Sequence, residues 1–153
     1  MSRPRSLFGA DPAGILTRAE AESLAKRALA FATADETAIN IDSDARANTR
    51  FAVNQVSTGG NDTDTTITVR SSFGKRSASV TTNRSDDASL AAAVKAAEEL
   101  AKLSVENPEY MPGLGPQTYP PAREQNISFP SADDRARAVK AVTDRARAAG
   151  LVA

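Results

Sequence analysis

Between two stretches of helical periodicity, four segments within residues 37–82 alternate apolar and polar side chains with a period of two. Such a pattern places alternate side chains on opposite faces of a strand, so it restricts the chain to a sheet with one apolar face. Ile39 and Ile41 share a side from Thr37 to Asp42. Ala47, Thr49, Phe51 and Val53 share one from Arg46 to Val56, and Ile67, Val69 and Phe73 from Thr65 to Phe73. Ala78 and Val80 point inward from Lys75 to Thr82. The sequence therefore predicts four strands, with Phe51 in the core. Ser57-Thr58-Gly59-Gly60-Asn61-Asp62 reads as a loop between strands. Gly74 marks a tight turn, where a positive φ costs glycine little. Connections this short favour antiparallel pairing.

Helical signals bracket the strands. Thr17 and Glu20 have the spacing of a capping box, in which the hydroxyl accepts from an early N–H and the carboxylate reaches back. Ala21, Leu24, Ala25, Ala28, Phe31 and Ala32 continue at helical spacing, which predicts a helix to about Thr33. A second helix is expected from Ser85–Asp87 to about Ser104, with Leu90, Val94, Ala97, Leu100 and Ala101 as its apolar stripe. A third starts at Ser131, with Asp133 and Asp134 favourable beside the positive end of the helix dipole and Gly150 suited to the residue after the helix.

The fold class that follows is α+β, a four-stranded antiparallel sheet with helices on one face. Residues 1–16 read as a flexible arm, 17–104 as the α+β domain and 105–130 as an extended connection holding six of the eight prolines. Residues 131–153 read as a C-terminal helix leading toward a further domain, because the apolar Leu151-Val152-Ala153 has the character of an entry into a next element.

Composition excludes several chemistries. The chain has 153 residues with no Cys and no His, so disulfides, the usual zinc ligands and Ser–His or Cys–His nucleophile systems are all missing. Lys+Arg and Asp+Glu balance at 19 each, which leaves no net field toward nucleic acid or a membrane surface. Sheet aromatics that would stack bases are absent from the polar face, and the arginines of the third helix alternate with aspartates; nucleic acid is therefore not expected as a partner. No apolar run is long enough to span a bilayer and no signal peptide is visible, so the expected location is cytoplasmic. Ala numbers 30 against 28 Leu, Ile, Val and Phe together, which predicts a thin core that leans on a partner, a second copy or another domain.

The second face of the sheet carries the functional signal. Asn40, Asp42, Arg46, Asn48, Arg50, Asn54, Thr66, Thr68, Arg70, Ser77, Ser79 and Thr81 lie opposite the apolar side, and none is a large hydrophobe. A one-sided antiparallel sheet also simply faces water, so polarity alone does not make it a site. Residues 45–84 hold six basic and two acidic side chains, which suit an anionic group or backbone carbonyls. A sheet edge can also add a peptide strand without regard to sequence. Asp62 and Asp64 lack the glycine and glutamate of a calcium loop, and Gly74-Lys75-Arg76 lacks the rest of a phosphate-binding loop.

The segment Thr49-Arg50-Phe51-Ala52-Val53-Asn54-Gln55-Val56 resembles the "RFANNQI" strand of the TldD/PmbA family. Thr65-Thr66-Ile67-Thr68-Val69-Arg70 is similar to its "G-V-x-V-R-V" strand, and Gly74 to Asn83 to its "G-R-x-G-x-A-x-T-N" element. The helix from Leu90 to Leu103, the Pro-rich stretch after it and Ala148-Ala149-Gly150-Leu151-Val152-Ala153 also look like the family's, so that the resemblance covers residues 17–153. It departs at Thr68, Ser71 and Ser72, which are more polar than usual, and at Gly59-Gly60.

The resemblance implies the N-terminal domain of a two-domain protein of the metallopeptidase or gyrase-modulator type. TldD-like members carry an H-E-x-x-x-H zinc site in the C-terminal half, and PmbA-like partners lack it. Dimers of such proteins are thought to enclose a chamber for extended or unfolded peptides. No catalytic residue and no metal ligand transfers to this chain; zinc, in members that carry it, belongs to the further domain, and both the zinc-bearing and the zinc-free type remain open. The expected role is to wall the chamber, bind peptide and support homo- or heterodimer contacts with a family member. Arg50, Asn54 and Arg70 are the candidate peptide or partner contacts. The alternative is a stand-alone module that binds peptide or protein through the polar sheet face.

Overall fold

The computed structural model describes residues 15–115, 117–120 and 130–153. The elements follow in the order α1 (Arg18–Leu29), β1 (Glu36–Ala52), β2 (Gln55–Phe73), β3 (Arg76–Thr82), α2 (Asp87–Leu103) and α3 (Ala132–Ala148). Among the described residues the sheet has three strands, in the order β1-β2-β3. The arm expected over residues 1–16 lies outside the described residues up to position 14, and so do residue 116 and residues 121–129 of the Pro-rich connection.

Among the described residues no fourth strand is found. Thr37–Asp42 and Arg46–Ala52 are parts of one long strand, β1, and the 57–62 segment expected as a loop runs within β2. The chain reverses instead at Val53 and Asn54, whose φ angles are 53° and 58°. Two successive left-handed residues match the right-handed twist of paired strands, which is why such turns close tight hairpins. Asparagine tolerates this region, but a β-branched valine does so only under strain. Composition pointed to the Gly-Gly-Asn-Asp run, whereas glycine within a paired ribbon forfeits only side-chain packing. Phe51, expected in the core, is 38% exposed.

The Cα positions cluster into two compact units, one of Leu16–Asp44 with Asp64–Pro121 and the other including Ala45–Thr63 and residues 130–153. In the first, α1 and α2 pack together and α2 packs on β3. Leu24, Ala28, Ile67 and Leu90 form one buried cluster, joined by Ile39 and Ile41. Val69, Ala93, Val94 and Ala97 form another with Val80. Each buried Leu, Ile or Val contributes roughly 1.5–3 kcal/mol, but the buried alanines contribute little. The β2–β3 register pairs Val69 with Val80 and Arg70 with Ser79, and Gly74 turns the hairpin at φ 55°.

One buried charge fixes how α1 enters β1. Glu98 on α2 is 7% exposed. It accepts from the Thr33 N–H at 2.5 Å, the Thr33 hydroxyl at 2.6 Å and the Ala34 N–H at 3.0 Å. Burial works to raise this carboxyl, but the bonds from Thr33 and Ala34 and the charge of Lys102 outweigh it and hold the group below its ordinary value. α1 ends at Leu29, short of Thr33, which frees the Thr33 and Ala34 amides for this carboxylate.

In the second unit, α3 buries Val139 and Thr143. Its start has a capping box between Ser131 and Asp134. Its end is a Schellman motif: Gly150, at φ 68°, donates its N–H to Arg147 at 3.0 Å, and Leu151 donates to Ala146 at 2.8 Å.

Candidate functional site

Alternation along the strands leaves Asn40, Asp42, Arg70, Ser79 and Thr81 exposed on the face of the first unit opposite its helices. Cross-strand contacts order this face. The Thr68 and Thr81 hydroxyls lie 3.3 Å apart, and Arg70 Nη2 donates to Ser77 Oγ at 3.4 Å. Asn40 Nδ2 donates to Asp42 Oδ2 at 2.6 Å.

At the Phe73 end of β2 the polar face is no longer open. Glu36, at the start of β1, accepts from the Tyr110 hydroxyl at 2.8 Å and from the Gly113 N–H at 3.2 and 3.1 Å. The Tyr110 hydroxyl bond, the Gly113 N–H and the charge of Arg70 hold the Glu36 carboxyl below its ordinary value, against a smaller opposing effect of burial. Glu36, Ala38, Arg70, Ser72, Tyr110, Met111 and Gly113 line a cleft of about 110 Å³. Ser72, although on the polar side of β2, is only 4% exposed. A carboxylate and a guanidinium thus flank one small cleft, the arrangement needed to meet the N–H and C=O groups of an extended backbone.

Of the three candidate contacts, Arg70 lies in this cleft. Arg50 and Asn54 belong to the other unit. Arg50 is exposed on β1. Asn54 has all four of its polar groups engaged by the C-terminal residues. Its N–H donates to the Ala153 carbonyl at 3.0 Å, its Nδ2 to the Leu151 carbonyl at 2.9 Å, and its Oδ1 accepts from the Ala153 N–H at 2.9 Å. Its carbonyl accepts from the Arg147 guanidinium. In the same unit Arg135 donates to Thr49 Oγ1 at 3.2 Å, Asn61 Oδ1 at 2.8 Å and the Pro130 carbonyl at 2.7 Å, which spends its fork on holding α3 to the ribbon.

Sequence reasoning missed Glu36, Tyr110 and Gly113. Glu36 precedes the first alternating residue, and Tyr110 and Gly113 lie within a Pro-rich stretch without a period. The one available signal was an aromatic hydroxyl standing between prolines.

An α+β domain of this order, with a polar sheet face opposite its helices, is the class the fold defines. The crystal structure of TldE from Thermococcus kodakarensis has the same fold, with a TM-score of 0.68 and 18% identity, over 83% of this chain and 29% of that chain. The chain therefore spans less than a third of that protein's length. Residues 43–101 match the model of PmbA/TldA metallopeptidase domain 1, and the chain is similar there to the first domain of the TldD/PmbA family. No curated protein matches it significantly. The chain has neither His nor Cys, and among the described residues no group of three or more acidic side chains is placed to hold a metal ion.

Proposed function

We propose that this domain is the non-catalytic, N-terminal part of a cytoplasmic TldD/PmbA-type peptidase-family protein, and that it walls a chamber, contacts extended peptide and supports pairing with a family member. The observation that carries the reading is the match of residues 43–101 to the family's first domain, a span that includes Arg50, Asn54 and Arg70. The exposed polar strands support it, because an extended polypeptide presents unpaired N–H and C=O groups whatever its sequence. Arg50 and Arg70 supply donors for backbone carbonyls and for acidic side chains. Asn54 holds the residues that leave α3. Hydrolysis, where the whole protein performs it, belongs to a zinc site in a C-terminal domain.

Fluorescein-labelled casein, a natively unfolded polypeptide, provides the test. Fluorescence anisotropy should show saturable binding to the chain, and Arg50→Ala with Arg70→Ala should weaken it by about tenfold, the loss of one or two charge-assisted hydrogen bonds. A wild-type chain that binds no casein would overturn the peptide-binding part of the reading.

A further inference from the structure

We propose that residues 107–113 form a latched strap over the Ser72 end of the polar face, and that an extended peptide must displace this strap to occupy that end. The inference rests on the peptide-binding reading above and adds a gate to it.

The strap is tied at two places. Asn107 donates its N–H to the Lys75 carbonyl at 3.0 Å, beside the β2–β3 turn. A local turn follows, in which the Tyr110 N–H reaches the Asn107 carbonyl at 3.1 Å and the Glu109 N–H reaches Asn107 Oδ1 at 3.0 Å. The second tie is Glu36, which takes the Tyr110 hydroxyl and the Gly113 N–H together. A Cβ at position 113 would come within 2.5 Å of Glu36 Oε1, so a side chain there would push the carboxylate tip aside from the strap.

The outward side of the strap carries no burial to hold it. Met111 is 83% exposed and Leu114 85%. Tyr110 is half-buried and Met111 borders the cleft, but no residue of 107–113 is fully buried, and a segment with so few buried contacts belongs to the low-stability end of a structure and opens separately from the core. What it covers is polar. Ser72 is buried, and Glu36 has its carboxylate consumed by the strap's own N–H and O–H. Those are the donor types an extended peptide would bring, so strap and peptide compete for the same acceptor.

The absence of cysteine makes the test direct. Ser72→Cys introduces a single thiol under the strap, and its reaction rate with a maleimide reports opening. Tyr110→Phe, and separately Gly113→Ala, should accelerate labelling about tenfold, as expected for losing one hydrogen bond to a charged acceptor. Amide protection of Val69 and Val80 in the same samples shows that the sheet itself remains folded. The unlatched variants should also bind fluorescein-labelled casein several-fold more tightly than the parent chain. Unchanged labelling in both variants overturns the strap. Faster labelling with unchanged casein affinity overturns the competition and leaves the peptide-binding reading standing. Casein binding by neither parent nor variants sinks that reading and the gate with it.

Discussion

Asn54 and Ala153 exchange two hydrogen bonds: the Asn54 N–H donates to the Ala153 carbonyl at 3.0 Å, and the Ala153 N–H donates to Asn54 Oδ1 at 2.9 Å. The side-chain amide here completes what a neighbouring strand's backbone would supply. The turn residue that closes the β1–β2 hairpin is thus also the receptor for the segment leaving α3. Asn54→Gly keeps the left-handed backbone but removes both side-chain bonds. Its expected effect is faster amide exchange at Ala153, with a loss of about 1 kcal/mol in global stability at most, since these bonds are largely exposed. Unaltered exchange at Ala153 would show that the backbone bond alone holds the segment.

Val53 offers the opposite experiment. It is 70% exposed and has a φ of 53°, so its side chain gains little from packing while its backbone is strained. Val53→Gly or Val53→Asn should raise stability by about 0.5–1 kcal/mol, read as a higher urea midpoint at constant m. A lower midpoint would mean that the valine makes contacts worth more than the strain.

Glu98 should be far less tolerant. Glu98→Ala leaves the Thr33 and Ala34 amides without their acceptor, at a cost of about 2–3 kcal/mol. Glu98→Gln keeps one acceptor oxygen and should cost less. Arg27 makes the useful contrast. It reaches Asp87 at 2.5 Å and the Ser85 carbonyl at 2.7 Å, but both charged side chains are largely exposed. Arg27→Ala should therefore cost no more than about 1 kcal/mol. Denaturant melts of the three variants check the order; equal losses for Glu98→Ala and Arg27→Ala would contradict it.

The acid side of the stability profile follows from direction alone. The Glu36, Glu98 and Asp134 carboxyls are all held below their ordinary values in the folded chain. A depressed folded pKa contributes stability that is complete above the unfolded value and is lost as pH falls through the folded one. Urea midpoints should be level from neutral pH to about 5 and decline below that. Around Glu36 the relevant neighbours are Arg70 on β2 and the Tyr110 hydroxyl on the strap. Tyr110→Phe should consequently shift strap opening, measured by labelling at Ser72→Cys, to higher pH. An identical pH midpoint in both backgrounds would disconnect Glu36 from the strap.

Local signals were sufficient wherever the stabilising interaction is local. The Thr17–Glu20 box, the helix starts at Ser85–Asp87 and Ser131 and the glycine after α3 all appear at their sequence positions, because each is fixed by groups within one turn. Period-two alternation likewise identified the buried faces of Ile39, Ile67, Val69 and Val80, since burial of one sheet face leaves no other register.

Turn placement and the cleft were decided by contacts between residues far apart in sequence. Composition favoured a break at Gly59-Gly60, yet pairing of β1 with β2 carries through it, and the reversal falls at Val53-Asn54, where the C-terminal segment occupies the asparagine. Glu36 and Tyr110 lie 74 positions apart, and no periodicity connects them. Amino-acid order specifies which groups need partners within a turn or along a strand. Which distant group satisfies a carboxylate such as Glu36 or Glu98 depends on how the chain closes on itself, because that choice is made by geometry after the helices and sheet have packed.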